Sequence, residues 1–341
     1  MNRLYLLLIP LSIALSIALP LLFGGLESLE QLRELSLVGF AVILAMVLGA
    51  WAFNAARMYV LVNGLGVRLR PGRSYAYVVS AEFAGAATPA YTGGMATYMF
   101  LFSRQGLRFG QSAAVVAVDQ LTDLVFMATA LPVALLIFML GPGTHDLAWA
   151  AGAFVGVLAV SVPLLFWLPR HYRPAALWLG KLMRLLPFLH RMRWRLARWL
   201  IQFREGIRLI ARLGARRLLL TYFFCAGQWL LRYGTLPMVV YFLGFDVPWS
   251  YLFVSQAIIL SVGHVTFLPG GTVGVELTFG ALLAPYLPPE QIVASVLLWR
   301  FCTFHSYLIM GAPVFLLTAG RQGLEILERR RKGEEAANEH G

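Results

Sequence analysis

Apolar runs of bilayer length, separated by short polar or charged stretches, dominate this chain. A hydrocarbon core of ~30 Å takes about 20 apolar residues in a helix. Six runs read as full transmembrane helices: about Leu4–Phe23, Leu37–Val62, Gln111–Leu140, Leu147–Leu168, Leu218–Leu243 and Ile292–Thr318. The first is read as a retained anchor, because it is long and no small-x-small cleavage site follows it. Two further runs, 75–102 and 251–284, are broken by Thr88-Pro89-Ala90-Tyr91-Thr92-Gly93-Gly94 and Leu268-Pro269-Gly270-Gly271-Thr272-Val273-Gly274. Opened backbone in hydrocarbon costs several kcal/mol per unsatisfied group, so such breaks survive packed in protein or beside a wet cavity. The pattern predicts an all-α polytopic membrane protein with six transmembrane helices and two re-entrant helical hairpins.

Charge sets the topology. Arg68, Arg70 and Arg73 precede the first broken run, and Arg104 and Arg108 follow it, which places both flanks inside. The second run ends at Pro285-Tyr286-Leu287-Pro288-Pro289-Glu290, and Asp246 is the one charge just before it. The two hairpins are therefore expected to enter from opposite faces, as an inverted repeat. An offset of 180 residues aligns Pro89 with Pro269, Gly94 with Gly274 and Gln111 with Gln291. The expected organisation is one transmembrane domain over 1–320. Its halves lie at about 37–168 and 218–318, a charged tail at 321–341, and both termini are cytoplasmic.

Composition narrows the class. The chain has 341 residues, is 59% hydrophobic and 13% charged, and carries a net charge of +12. Residues 170–217 hold thirteen Lys or Arg against Glu205 alone, so this segment accounts for the whole excess. Next to membrane spans, such a segment is read as a cytoplasmic or interfacial stretch facing anionic lipid headgroups, not a nucleic-acid site. Arg204, Arg208, Arg212 and Arg216, with Trp194, Trp199 and Phe203 interleaved, fit amphipathic helices in the inner interface. A loop that only fixes topology fits equally well. Cys225 and Cys302 fall inside apolar runs and imply no disulfide framework.

Ionisable groups at membrane depth cost about 2.5–3.5 kcal/mol each on insertion scales, which makes them functional candidates. Arg57 lies five residues from the end of its span, within snorkelling reach of the interface. Arg232 and Arg300 lie deeper and need carboxylate partners or an anionic ligand, for which a planar guanidinium suits phosphate. Asp119 and Asp123, four apart on one helix face, call for a counter-charge, expected from an arginine of the fifth or sixth span. Glu82 and Glu276 flank the breaks. Helix starts just after Gly94 and Gly274 would aim amides at an anion, with Thr88 beside the first break. Arg57, Arg232, Arg300, Thr88, Gly93, Gly94, Gly270, Gly271 and Thr272 are thus candidate phosphate-binding residues. Glu82, Asp119, Asp123 and Glu276 balance charge or couple protons. His264 and His305 lack metal-ligand spacing, and no cofactor or phosphate-gripping Gly-rich loop is legible.

Ala81–Asp123, with its Thr-Pro, Gly-Gly-x-x-x-Tyr, Arg-x-Gly-Leu and Asp-x-x-x-Asp, resembles the first signature of the lysylphosphatidylglycerol synthase transmembrane (flippase-like) family. Leu268-Pro-Gly-Gly-Thr-Val-Gly-Val-Glu276, with Arg300 and Gly311 downstream, resembles the second. The resemblance implies the translocating module alone, a lipid flippase and not an enzyme, because the soluble aminoacyl-transfer domain is not seen. Where the family usually has Glu-Arg after the first motif, this chain has Asp119-Gln120, which shifts phosphate contact toward Arg300. The expected function is movement of an anionic or phosphate-bearing lipid across the cytoplasmic membrane, with membrane lipids as partners and the oligomeric state open. A membrane enzyme or accessory subunit in lipid-linked group transfer, and a small-solute or ion carrier, are the alternatives.

Overall fold

The computed structural model describes residues 3–24, 36–140, 156, 213–266 and 268–320. The span expected at Leu147–Leu168, the basic segment before residue 213 and the tail 321–341 lie outside the described residues. The described residues form helices and turns, without strands. They are α1 (Arg3–Gly24), α2 (Leu37–Gly64), α3 (Pro71–Ala86), α4 (Thr92–Arg104), α5 (Phe109–Leu140), α6 (Ala215–Phe242), α7 (Trp249–Val265), α8 (Gly274–Leu283), α9 (Pro289–Arg300) and α10 (Ser306–Phe315). Local chemistry places the ends. Ser36 accepts from the Gly39 amide at 2.9 Å to cap α2, and Pro71 and Pro289 open α3 and α9 where no amide donor is needed.

Three helices among the described residues are long and apolar enough to cross a bilayer: Leu37–Gly64, Phe109–Phe138 and Pro289–Ala319. Shorter apolar stretches run over Ile9–Leu22 in α1 and Trp249–Val265 in α7. α6 matches α2 in length at 28 residues, but Gln228, Trp229, Arg232 and Tyr233 lower its hydropathy. α9 runs into α10 through a π-helical turn at Phe301–His305, immediately after Arg300. Such turns insert one residue into a helix and recur at functional sites.

Both proline–glycine segments break the chain as the sequence predicts. α3 and α4 pack as one helical hairpin and α7 and α8 as another, each turning through a short 3₁₀ segment, Pro89–Tyr91 and Pro269–Gly271. The two turns lie 180 residues apart and share a backbone course. An extended residue (Thr88, Leu268) and a proline precede two residues with positive φ. In the second turn these are Gly270 (φ 65°) and Gly271 (φ 66°), which reach that region without penalty. In the first they are Ala90 (φ 50°) and Tyr91 (φ 59°), each held at a cost of about 1–2 kcal/mol.

The same offset relates the larger elements. α2–α5 are followed in the second half by α6, α7, α8 and α9–α10 in matching order. Packing is reciprocal: α2 lies along α6, α3 lies against α10, α7 lies against α5, and the two turns touch each other. The approach of α3 to α10 depends on Gly311, where a side chain would meet the Phe83 Cβ at 2.6 Å and the Val79 carbonyl at 3.3 Å. α1 sits outside this pair of halves, against α9, and Ser16 Oγ meets His305 Nε2 at 2.9 Å.

Candidate functional site

The touching turns cap a cavity of about 420 Å³, lined from α2, α3, α4, α5, α6, α7, α8, α9 and the π-helical turn after α9. Thr88, Ala90 and Tyr91 of the first turn and Gly270 and Gly271 of the second face it, as do Arg57, Arg232 and Arg300. Three guanidiniums widely separated in sequence thus converge on one space. Each has at least one carboxylate partner.

Arg57 projects from α2 and is 1% exposed, so it does not snorkel. The expected partner for the α5 acids was an arginine of the fifth or sixth span. Instead Arg57 takes both, pairing with Asp119 and reaching Asp123 Oδ1 at 2.5 Å. The reason is packing: α2, α5 and α6 meet, and Arg57 is the guanidinium facing the Asp119/Asp123 side of α5. Asp123 Oδ1 also accepts from Trp229 Nε1 at 2.7 Å and from Cys225 Sγ at 3.4 Å. Asn54 joins α2 to α4 through its amide donor and Tyr98, at 3.3 Å.

Arg232 of α6 pairs with Glu82 of α3 at 3.4 Å, a long contact, and Glu82 also receives the Tyr91 hydroxyl. Its guanidinium carbon lies 5.5 Å from the ring centres of Trp229 and Tyr307. With 18% of its side chain exposed, Arg232 is the most open of the three arginines. Arg300 is the most occupied. Its Nε and Nη2 reach Glu276 Oε1 at 2.7 Å each, and its Nη1 donates to the Gly270 carbonyl at 2.7 Å. Glu276 in turn accepts from the Val273 amide at 2.7 Å, where Val273 has φ 75°. Arg300 therefore braces the second turn. The sequence-based shift of phosphate contact toward it meets the opposite geometry, in which Arg232 is the least committed cation.

Other expected site residues divide by position. Gly94 lines the cavity, whereas Gly93 is taken up by the turn, its amide donating to Thr88 Oγ1 at 2.8 Å. Thr272 is fully buried and donates to the Pro269 carbonyl at 2.9 Å, so it shapes the second turn. α4 begins at Thr92, two residues before Gly94, while α8 begins at Gly274. Sequence reasoning missed Asn54, Tyr98, Gln228, Trp229 and Gln256, all of which line the cavity. Asn54 and Trp229 each lie three residues before a buried arginine, and that spacing was the available signal. Three buried polar atoms at this cavity have no hydrogen-bond partner among the described residues: Arg57 Nε, Gln228 Oε1 and Gln256 Oε1. Buried polar groups are seldom left unsatisfied, so their gathering in one cavity points to a polar occupant. No group of three or more His, Cys, Asp or Glu able to hold a metal is found among the described residues.

With this geometry in place, residues 9–311 match the family described as the lysylphosphatidylglycerol synthase TM region. The chain belongs to this family. It is also 25% identical over 267 residues to a UPF0104 membrane protein of Archaeoglobus fulgidus, covering 77% of this chain and 81% of that one. Family membership and the apolar helices together make it a membrane protein.

Proposed function

We propose that this protein is a lipid translocase that moves an anionic or phosphate-bearing lipid headgroup across the cytoplasmic membrane. The observation that carries the reading is the single cavity of about 420 Å³ faced by three arginines and by both proline–glycine turns. That volume suits a headgroup and is too small for two acyl chains, which would stay in the surrounding hydrocarbon. Arg232, the most open cation, is the first phosphate contact, with Arg57 next. The unpartnered Gln228 and Gln256 carbonyl oxygens suit hydroxyl or amine donors on the headgroup.

In this reading the chain has six crossings and two re-entrant hairpins, inserted from opposite faces as an inverted repeat, with both termini cytoplasmic. The reciprocal packing of the halves and the arginine-flanked first hairpin support it. Membrane lipids are the partners, and the basic segment 170–217 holds anionic headgroups at the inner face. In this reading the protein is a translocase and not an enzyme, and among the described residues each cavity carboxylate is engaged by an arginine. A small-anion carrier is the second reading, favoured by the cavity volume alone.

The test is reconstitution into phosphatidylcholine vesicles carrying headgroup- or tail-labelled phosphatidylglycerol or phosphatidic acid. Exchange between leaflets faster than in protein-free vesicles, and reduced by Arg232→Gln, is the expected result. Exchange equal to protein-free vesicles across anionic lipid classes overturns the reading. Uptake of a soluble organophosphate without lipid exchange replaces it with the carrier.

A further inference from the structure

The cavity's charges do not cancel. Glu82 is matched by Arg232 and by the Tyr91 hydroxyl, and Glu276 by Arg300. Asp119 and Asp123 share Arg57 alone. One guanidinium between the buried Asp119 and the partly buried Asp123 leaves a negative charge over, and burial disfavours an uncompensated charge. The two acids are unequal. Asp123 Oδ1 gathers donors from Arg57, Trp229 and Cys225. Asp119 is 3% exposed, and beyond Arg57 it has only the side-chain amide of its neighbour Gln120, at 3.4 Å. Its Oδ1 pairs with Arg57 Nη2.

Among the described residues, charged and titratable groups surround Asp119 from several elements. α2 contributes Arg57, α3 Glu82 and α4 the Tyr98 hydroxyl. α5 itself contributes Asp123, and α6 contributes Cys225 and Tyr233 around Asp123, with Arg232 on the same cavity. α7 contributes His264 at the cavity wall. Among them Arg57 is the cation in contact, and the same cation is a candidate for an incoming phosphate.

We propose that Asp119 is a proton-binding site linked to anion binding at Arg57, so that one proton enters the cavity with each phosphate-bearing group. A phosphate oxygen takes the Arg57 Nη2 donor from Asp119. The released carboxylate takes one proton from water, forming a neutral carboxyl and leaving hydroxide to the bulk buffer. For a phosphodiester carrying one negative charge, the cavity then holds the same net charge before and after loading. The sign follows from linkage: binding that raises the proton affinity of Asp119 is itself favoured at low pH. Affinity falls by up to about tenfold per pH unit between the titration points of the empty and loaded states. This inference rests on the anionic-headgroup reading but is separable from it.

The experiment is calorimetric titration of the full-length protein in non-ionic detergent with dihexanoyl phosphatidylglycerol, and in parallel with glycerophosphoglycerol, the same diester without tails. Neither phosphodiester titrates near neutrality, and running each in two buffers of different ionisation enthalpy reads proton uptake directly. The wild type is expected to take up close to one proton per bound diester, and Asp119→Asn to bind with no uptake and a flat pH profile. Where Asp119→Asn fails to fold, infrared difference spectra of the wild type serve instead, and a neutral carboxyl band must appear on adding the diester. Binding without uptake, uptake that persists in Asp119→Asn, uptake lost in His264→Ala, or no such band overturns the proposal and leaves the translocase reading standing. Binding of neither diester at any pH overturns the anionic-headgroup reading, and the proposal with it. Proton uptake with glycerophosphoglycerol as strong as with the lipid supports the proton site and assigns the anion to a soluble source.

Discussion

Arg300 grips Glu276 through two nitrogens at 2.7 Å while its third donor holds the Gly270 carbonyl at the same distance. One side chain thus ties α8, α9 and the second turn together. A guanidinium can do this because its donors form a rigid fork, which an ammonium lacks. Glu276→Gln and Arg300→Gln are each expected to destabilise the folded protein by about 3–5 kcal/mol, since each strands a buried charge. The double variant should cost much less than their sum, and Arg300→Lys should not restore stability. Thermal unfolding in detergent measures all four.

The two turns differ in how they reach positive φ. Gly271→Ala would force an alanine to φ 66° and bring its Cβ to 2.7 Å from the Gly263 carbonyl. The expected loss exceeds the ~1–2 kcal/mol of the backbone term alone. Ala90→Gly relieves that same term at φ 50° but loosens the unfolded chain, so its net effect should stay within about 1 kcal/mol. Unfolding midpoints compared under one detergent condition decide both.

Tyr91 couples the first turn to the second half, because its hydroxyl holds Glu82 where Glu82 meets Arg232. Tyr91→Phe removes a hydrogen bond to a charged group, of order 1.5–3 kcal/mol, and should slow leaflet exchange about tenfold or more. Gly85→Ala should act alike without touching a charge, since a Cβ there would meet the Tyr91 ring. Exchange rates of both variants in vesicles test this, with unfolding midpoints as the control for folding.

Cys225 and Cys302 are both fully buried and unpaired as thiols. A maleimide should label neither in the native protein and both after denaturation, as followed by mass. Native labelling of Cys225 would place it in the cavity's water and contradict its contact with Asp123.

Much of the fold was legible because a bilayer imposes it. Backbone groups in hydrocarbon must be satisfied locally, so apolar length predicts helices and Pro-Gly clusters predict breaks. Both breaks appear where Pro89 and Pro269 stand, and the 180-residue offset relates whole elements as well as motifs. Depth in an apolar run likewise marked Arg232 and Arg300 as charges needing a partner or a ligand, while Arg57, placed within snorkelling reach, proves buried, and all three face one cavity. Less could be read of Gly93 and Thr272, whose polar atoms close their own turns, or of Gln228 and Gln256, which look like ordinary helix residues until packing turns them inward.

By itself, then, the sequence determined which segments are helical, where two of them break, and which ionisable groups are too deep to remain unpartnered. Those properties follow from local hydrogen bonding and desolvation, which act on each segment separately. Only the tertiary structure decided the partners. Arg57 takes both Asp119 and Asp123, Arg232 takes Glu82, and Arg300 is spent on Glu276 and Gly270. Which cation remains open to a ligand depends on which faces of α2, α3, α5 and α6 meet, a property of packing between segments distant in sequence.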